Sequence, residues 1–565
     1  MTQAKPHTNL SQEKFHPASL LREIAQQQPD KKALIVSKCS LMTRNYHDHA
    51  ITYSDLEKAS DHVASQLLAS GIKQGDKTIF MLKASHELFV YFFALLKIGA
   101  IPILVDPGMG LKRMLHCYRS VGASAFVGIP IANHIRRLLP RFFRSIHASV
   151  TVKPIAWDKL SRLNLKAPKK FVFPLTPKTQ NDLALISFTT GSTGPAKGVE
   201  YSYGMVHAMK QMIQSHYAFT SNDVQFLTSP FFGVLGFMMG KTCILPDMNP
   251  AKPASASPKI LVDTIRRYQA TAMFASPALL NTLGHYAEKH SISLPSLLVV
   301  SSGGAPMTRD TMQRFRKVLT QKAKFDTTWG TTEGLPLTSI QIETLLNETS
   351  FDMQNGLGTC IGQPVSPVQV HAVQLSEQPI PTIEKAQICA PGEVGELIVQ
   401  GPNISAHYHD QPEFDAVHKI KDGAQIWHRT GDLGWIDAKG RIWFCGRKSH
   451  QVSIQGKVIN SVQIEGIVNS HPFVYRSALT SATMGQEKIA VICIELNQRM
   501  TKHTRMRVER EIRHKLSQHR MTRTIDTLLF PPKFPVDIRH NAKIDRGALG
   551  IWATKHLKQR GGLNG

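Results

Sequence analysis

The stretch Ala184-Leu-Ile-Ser-Phe188, followed by Thr189-Thr190-Gly191-Ser192-Thr193-Gly194-Pro195-Ala196-Lys197-Gly198, decides how this chain reads. The apolar run 184–188 has the length and composition of a buried strand. The residues after it alternate hydroxyls, glycines and one lysine. Glycine lets backbone N–H groups approach a polyphosphate closely. Hydroxyls add donors, and the Lys197 ammonium adds a point charge. A donor-rich loop leaving a strand is a phosphate cradle. The lysine does not obey the G-x-x-x-x-G-K-[ST] spacing, so the loop is not a Walker A element.

The rest of the chain bounds what such a loop serves. With 565 residues it exceeds one ordinary core, and two to four structural units are expected. A composition 42% hydrophobic and 19% charged belongs to a folded protein and excludes a disordered one. The formal net charge of +26 favours anionic partners. No nucleic-acid-binding module accompanies that charge, so nucleic acid is not an expected partner. Arg136-Arg137, Arg141-Phe-Phe-Arg144 and the segment 499–520 suit peripheral contact with an anionic membrane. Cys39, Cys117, Cys243, Cys360, Cys389, Cys445 and Cys493 form no C-x-x-C pair and no zinc spacing. Scattered thiols fit a reducing compartment. Residues 1–17 are polar and lack a signal-peptide apolar region. A cytoplasmic protein, peripheral to the membrane, is expected. The apolar stretch 88–105 is broken by Lys97 and Pro102, and reads as a buried helix followed by a strand.

Strands and helices alternate from residue 51 onward. A helix opens at 51–56 with Ser54 as its cap. Strands are expected at 77–82, 100–105 and 123–127, and helices at 85–98 and 110–121. This rhythm predicts an α/β fold with largely parallel sheets. Residues 129–180, rich in Arg, Lys and Pro, read as a variable insertion, and a second alternation spans 205–326. From 350 to 445 short strands with glycine turns take over. The composition shifts again at 447–450, where a domain boundary is expected. Beyond it lie a helix at 462–469, strands within 477–495 and a basic helix at 499–520.

Five more stretches follow in order: Leu298-Val-Val-Ser-Ser-Gly-Gly-Ala-Pro306, Trp329-Gly-Thr-Thr-Glu333, Trp427-His-Arg-Thr-Gly-Asp432, Gly440-Arg-Ile-Trp-Phe-Cys-Gly-Arg-Lys-Ser449 and His540-Asn-Ala-Lys-Ile-Asp-Arg546. With the opening loop they resemble the adenylate-forming (ANL, AMP-binding) superfamily over residues 50–550. Its members join a carboxylate to AMP and release pyrophosphate. The resemblance implies a large N-terminal adenylation domain, residues 1–446, of parallel-sheet α/β subdomains plus a small β-barrel-like subdomain. A small mobile α+β lid domain, residues 447–565, would follow. ATP and Mg²⁺ are the implied cofactors. Thr189, Thr190, Gly191, Ser192, Thr193, Gly194 and Lys197 would clamp the pyrophosphate. The turn Gly304-Ala305-Pro306 would pack against adenine. Trp329, in place of the usual Tyr, would stack near adenine, ahead of Gly330 and Thr331. Thr332 would contact the α-phosphate, and Glu333 would hold Mg²⁺. Asp432 would accept hydrogen bonds from both ribose hydroxyls, with Arg429 and Thr430 supporting the turn. Arg447 would contact ribose or phosphate. Lys543 would bridge the substrate carboxylate and the α-phosphate. Lys543, Glu333, Thr332 and Lys197 are therefore the catalytic candidates.

The chain also departs from that pattern. The pivot position carries Ser449 rather than Asp or Lys. The family's Lys-x-x-Gly reads Ser453-Ile-Gln-Gly456, and Ser461 and Gln463 replace the usual Pro and Glu. Gly456 and Glu465 fit. These changes weigh against the standard geometry for transfer to CoA. In the acid-binding segment 230–236 there is no aspartate to pair with an amino group. Phe231, Phe232, Leu235, Phe237, Met238 and Met239 make the region apolar, and burial of an acyl chain there contributes about 0.8 kcal/mol per methylene. Gly236-Phe-Met-Met-Gly-Lys241-Thr242 falls one residue short of a Walker A loop and is set aside. The runs 104–110, 245–248, 276–281, 443–449 and 471–478 look like the olefin-biosynthesis branch, the β-lactone synthetases. Such enzymes activate a long-chain β-hydroxy acid, whose own hydroxyl then displaces AMP without CoA. The expected partners are ATP, a fatty or β-hydroxy fatty acid, an anionic membrane and other enzymes of the olefin pathway. One alternative is a fatty acid–CoA ligase with CoA as co-substrate. A remote one is a catalytically inactive basic scaffold at a membrane surface.

Overall fold

The computed structural model describes residues 15–40, 45–153, 171–188, 196–454, 456–485, 487–536 and 544–561. The deciding stretch forms the arm of a hairpin. The strand Leu183–Phe188 pairs antiparallel with Gly198–Ser202, and Phe188 lies opposite Gly198. Between the two strands, Thr189 to Pro195 lie outside the described residues.

That hairpin closes one side of a six-stranded sheet. The order across it is Ala148–Thr151, Ala125–Gly128, Lys77–Met81, Ile101–Val105, Leu183–Phe188 and Gly198–Ser202. Every pair except the last is parallel, as the βα rhythm predicts. Within the expected insertion 129–180, residues 130–151 are part of the fold. Pro130 opens the helix Pro130–Leu138, and Ala148–Thr151 extends the sheet edge. Ala132 and Asn133 are buried while Arg137 faces solvent, so a basic composition hides an amphipathic element. The helix Tyr53–Ala69 is capped by Thr52 rather than Ser54. The Thr52 hydroxyl accepts from Asp55 N–H, and the Asp55 carboxylate accepts from Thr52 N–H, a reciprocal capping box.

The second sheet is longer. It runs from Tyr46–Thr52 through Lys32–Cys39, Thr242–Leu245, Val224–Leu227, Ala272–Ala275, Val299–Gly303 and Lys324–Thr331 to Gly334–Gln341. There the expected β-rich region is joined to it directly. Gly334–Gln341 pairs antiparallel with Thr359–Pro364, which leads on to Ile442–Arg447, Gln425–Ile436, Gly395–Gln400 and Gln369–Val373. Gly362 permits this junction, since a Cβ there would stand 2.0 Å from the Ser339 carbonyl oxygen.

The last strand of this sheet ends at Arg447. The three-stranded sheet after it, Val474–Met484, Glu487–Leu496 and Thr527–Leu529, shares no strand with the others. Its helices are Ser461–Asn469, Lys502–Ser517 and Arg546–Gly561. The basic helix Lys502–Ser517 buries Val508, Ile512 and Leu516, an i, i+4, i+8 stripe that covers this separate core.

The helix His86–Lys97 is buried, as its apolar run predicts, and ends on a wholly buried lysine. Lys97 Nζ lies 2.6 Å from Asp61 Oδ1 and 2.8 Å from Glu57 Oε2, and Arg22 Nε is 2.8 Å from Glu57 Oε1. The charge that interrupts the apolar stretch is thus neutralised inside three packed helices. No helix among the described residues is long and apolar enough to cross a membrane. Removing one member of a buried pair leaves an uncompensated charge. Lys97→Ala is expected to cost about 3–5 kcal/mol, seen as a lower urea midpoint for the transition of this region.

Candidate active site

Adjacent parallel strands end together at the site. Val299–Gly303 delivers the turn Gly304-Ala305-Pro306, and Lys324–Thr331 delivers Thr332 and Glu333 at a hairpin tip. A Cβ on Gly303 would stand 2.9 Å from the Thr328 carbonyl oxygen, and Gly304 has φ +84°. Both glycines are therefore required by the backbone. The tip is held from outside. Tyr201 O–H donates to the Thr332 carbonyl at 2.6 Å, and Ser405 N–H to the Glu333 carbonyl at 2.7 Å.

The Glu333 carboxylate is half-buried at the cleft wall, and its Oε1 accepts from Tyr408 O–H at 2.7 Å. Burial alone would raise this carboxyl. The Tyr408 bond and the Lys419 ammonium work against burial and hold the group low. Burial, then the neighbouring Lys419 ammonium, keeps His428 neutral near pH 7. The standing positive charge facing Glu333 is thus Lys419. Burial draws Lys419 itself down to about 8 against the pull of Glu333. Its Nζ donates to the Ser405 carbonyl at 2.5 Å and lies 5.0 Å from the Tyr408 ring centroid.

Lys197 enters this group from the other sheet. Its Nζ lies 4.7 Å from the Phe414 ring centroid, 5.0 Å from that of Tyr408, and 2.7 Å from His418 Nε2. Burial, reinforced by Lys197, pushes His418 down to about 4, so its neutral ring can accept from the ammonium. Burial lowers Lys197 as well.

Asp432 is buried on the strand Gln425–Ile436. Its Oδ2 accepts from Trp329 Nε1–H at 3.0 Å, and Arg447 Nε stands 3.3 Å from Oδ1. Trp329 thus bonds to the aspartate through its edge. The Thr430 hydroxyl accepts from Asp432 N–H at 3.1 Å. Arg429 pairs with Glu396 at 2.5 Å and donates to the Ser376, Gln378 and Val417 carbonyls, which pins the strand.

Lys197, Gly304, Ala305, Pro306, Trp329, Gly330, Thr331, Thr332, Glu333, Asp432 and Arg447 all line one cleft of about 2580 Å³. The cleft continues between Phe80, Leu88, Phe92, Phe231, Phe232, Leu235 and Met239. Thr189, Thr190, Gly191, Ser192, Thr193, Gly194 and Lys543 lie outside the described residues, but Ile544 and Arg546 line the same cleft. Arg546 Nη1 is 2.6 Å from Glu465 Oε1, which ties the start of the last helix to the helix Ser461–Asn469. The Walker-like Lys241 is wholly buried, 3.2 Å from Gln225 Oε1 and 3.0 Å from the Phe219 ring centroid. It is a core lysine.

Two observations test the fit to a phosphate ester with a divalent cation. The buried Thr331 hydroxyl has no hydrogen-bond partner among the described residues and lines the cleft. Glu333 is an ionised hard-oxygen ligand, and the described residues contain no group of three or more metal-ligating side chains around it. A cation bound there would draw its remaining ligands from phosphate and water, the habit of Mg²⁺.

Comparison with known proteins places the chain in a family. The model of the AMP-binding enzyme family matches residues 21–409. The olefin beta-lactone synthetase of Stenotrophomonas maltophilia is 34% identical over 559 residues, covering 96% of this chain and 99% of that protein. The structure of an amide bond synthetase from Marinactinospora thermotolerans superimposes with a TM-score of 0.76 at 18% identity, covering 95% of this chain and 99% of that one. The o-succinylbenzoate coenzyme A synthetase of Bacillus subtilis, in complex with ATP and magnesium ion, superimposes with a TM-score of 0.71 at 19% identity, covering 94% and 98%. The fold is that of the adenylate-forming enzymes. The chain belongs to the AMP-binding enzyme family.

Sequence reasoning missed Tyr201, Tyr408, His418, Lys419 and His428. The one available signal is the recurrence of Tyr408-His409, His418-Lys419 and His428-Arg429 at steps of ten residues. Only the fold converges them on Glu333. A hydrogen bond to a charged group is worth about 1.5–3 kcal/mol. Tyr408→Phe is therefore expected to lower kcat/KM about 10- to 100-fold. The lost bond was lowering the Glu333 pKa, so that pKa rises and the carboxylate protonates sooner on acidification. The acid limb of the pH–rate profile of pyrophosphate release should move to higher pH.

Proposed function

We propose that this enzyme activates a fatty or β-hydroxy fatty acid by attacking the α-phosphate of ATP with the acid's carboxylate, releasing pyrophosphate. The observation that carries the reading is a single cleft with an ionised carboxylate, the Lys197 ammonium and the Asp432 acceptor at one end and aromatic walls at the other. In this reading adenine lies along Gly304-Ala305-Pro306 beside Trp329, and Asp432 accepts from the ribose hydroxyls. Arg447 faces the ribose or phosphate. Thr332 and the unpartnered Thr331 hydroxyl donate to the α-phosphate. Lys197 and the loop Thr189 to Gly194 neutralise the departing pyrophosphate. Mg²⁺, held by Glu333 and phosphate oxygens, would offset the same charge. Lys543 bridges the acid and the α-phosphate, where negative charge spreads in the transition state. Residues 447–565 act as a lid that carries this lysine, hinged at the end of the strand Ile442–Arg447.

For the second step, the acid's own β-hydroxyl oxygen attacks the acyl carbon and AMP leaves, forming a β-lactone. Similarity to an olefin beta-lactone synthetase over nearly the whole chain supports this. So does Ser449 at the pivot. Holding nucleophile and acyl carbon in one molecule supplies much of the rate. The rival second step is attack by CoA.

Two measurements test the reading. Incubation with ATP, Mg²⁺ and matched plain and 3-hydroxy fatty acids, with and without CoA, followed by mass analysis, should give a β-lactone without CoA. An acyl-CoA found only when CoA is supplied would replace lactone formation with thioester formation. Lys543→Ala should lose acyl-AMP formation at least about 100-fold while still binding ATP, the scale of removing one preorganised transition-state donor. Retained activity would contradict the assigned role.

A further inference from the structure

The acid pocket has a polar patch set in its apolar wall. Phe274 and Ser301 lie side by side on neighbouring strands, and Ser301 pairs in turn with Asp326. Side chains of paired residues share one face of the sheet. Phe232 packs on Phe274 with ring centroids 4.6 Å apart. Among these aromatics the Tyr217 hydroxyl, from the end of the helix Tyr203–Tyr217, lies 3.0 Å from Ser301 Oγ and 2.9 Å from Asp326 Oδ2. Tyr217 and Ser301 line the cleft, while Asp326 behind them is wholly buried.

Counting protons fixes what this patch offers. The Asp326 carboxylate is acceptor-only. It takes one bond from Ser339 O–H at 2.8 Å and one from Tyr217 O–H. Tyr217 has then spent its single proton, and its oxygen remains as an acceptor for Ser301 O–H. The Ser301 oxygen is left facing the cleft as an acceptor, polarised by the chain of bonds that ends on a carboxylate. Burial and the adjacent Asp326 push the Tyr217 hydroxyl well above its ordinary range, which keeps it a donor to Asp326.

We infer that Ser301 and Tyr217 are specificity-determining residues that receive a hydroxyl of the acyl chain, with Asp326 as the positioning residue behind them. A hydroxyl donates to the waiting acceptor. A plain hydrocarbon chain would strip the patch of water and leave it unpaired, which is the arrangement that discriminates most strongly against an analogue lacking the polar group. The inference rests on the adenylation reading above and adds to it the residues that would tell a hydroxylated acid from a plain one.

The test is the ratio of kcat/KM for pyrophosphate release between a 3-hydroxy fatty acid and the plain acid of equal length. Wild type, Tyr217→Phe and Ser301→Ala are compared, with thermal midpoints recorded for each. Ser301→Ala leaves the Tyr217–Asp326 bond intact and serves if Tyr217→Phe does not fold. The wild type should favour the hydroxy acid by at least about tenfold, and the ratio should fall towards one in a folded variant. A wild-type ratio near one, or a ratio unchanged in the folded variants, overturns the inference while leaving adenylation standing. No pyrophosphate from either acid overturns the adenylation reading and this inference together.

Discussion

An ionised carboxylate cannot sit in a protein interior without partners, and Glu333 sets that requirement for the whole site. Its hairpin tip comes from the long α/β sheet, while Tyr408, Lys419 and His428 come from the β-rich region beyond residue 350. Neither part alone can keep the group charged. Joining them edge to edge, through the close approach at Gly362, fixes the carboxylate against its partners without a flexible link. Lys197 enters from the six-stranded sheet, so three bodies of secondary structure converge on one charge.

That convergence explains the division of labour in the cleft. The polar end gathers side chains whose charges are set by burial and by one another: Glu333 is held low, and His418 is held neutral beside Lys197. The other end is built from Phe231, Phe232 and Phe274, where few polar groups are admitted. Among the polar side chains there, Ser301 and Tyr217 are backed by Asp326, and so retain a defined polarity in an apolar wall.

The alternation of strands and helices was legible because each element obeys its own period. The helix His86–Lys97 and the strands Lys77–Met81 and Ile101–Val105 fall within a residue or two of expectation. Motifs that act through backbone were equally legible, since Gly303 and Gly304 announce a turn no other residue tolerates. Residues 130–151 were misread because a basic surface masked a buried face. The Thr52 cap was missed because its partner is the reciprocal Asp55 carboxylate. Trp329 was expected to act through its ring face, and its N–H in addition serves Asp432, which no sequence pattern signals. The Glu333 cage was invisible for a deeper reason. Lys419 and His428 meet through strand register, and Tyr408 is brought in by an isolated bridge to Val199.

Acid-dependent exchange of radiolabelled pyrophosphate into ATP tests the central claim most directly. If the cleft cleaves ATP between its α- and β-phosphates, label should enter ATP only when Mg²⁺ and a fatty acid are both present. Absence of that exchange, with acid-dependent exchange between ADP and ATP instead, would mean cleavage at the γ-phosphate and would contradict the account.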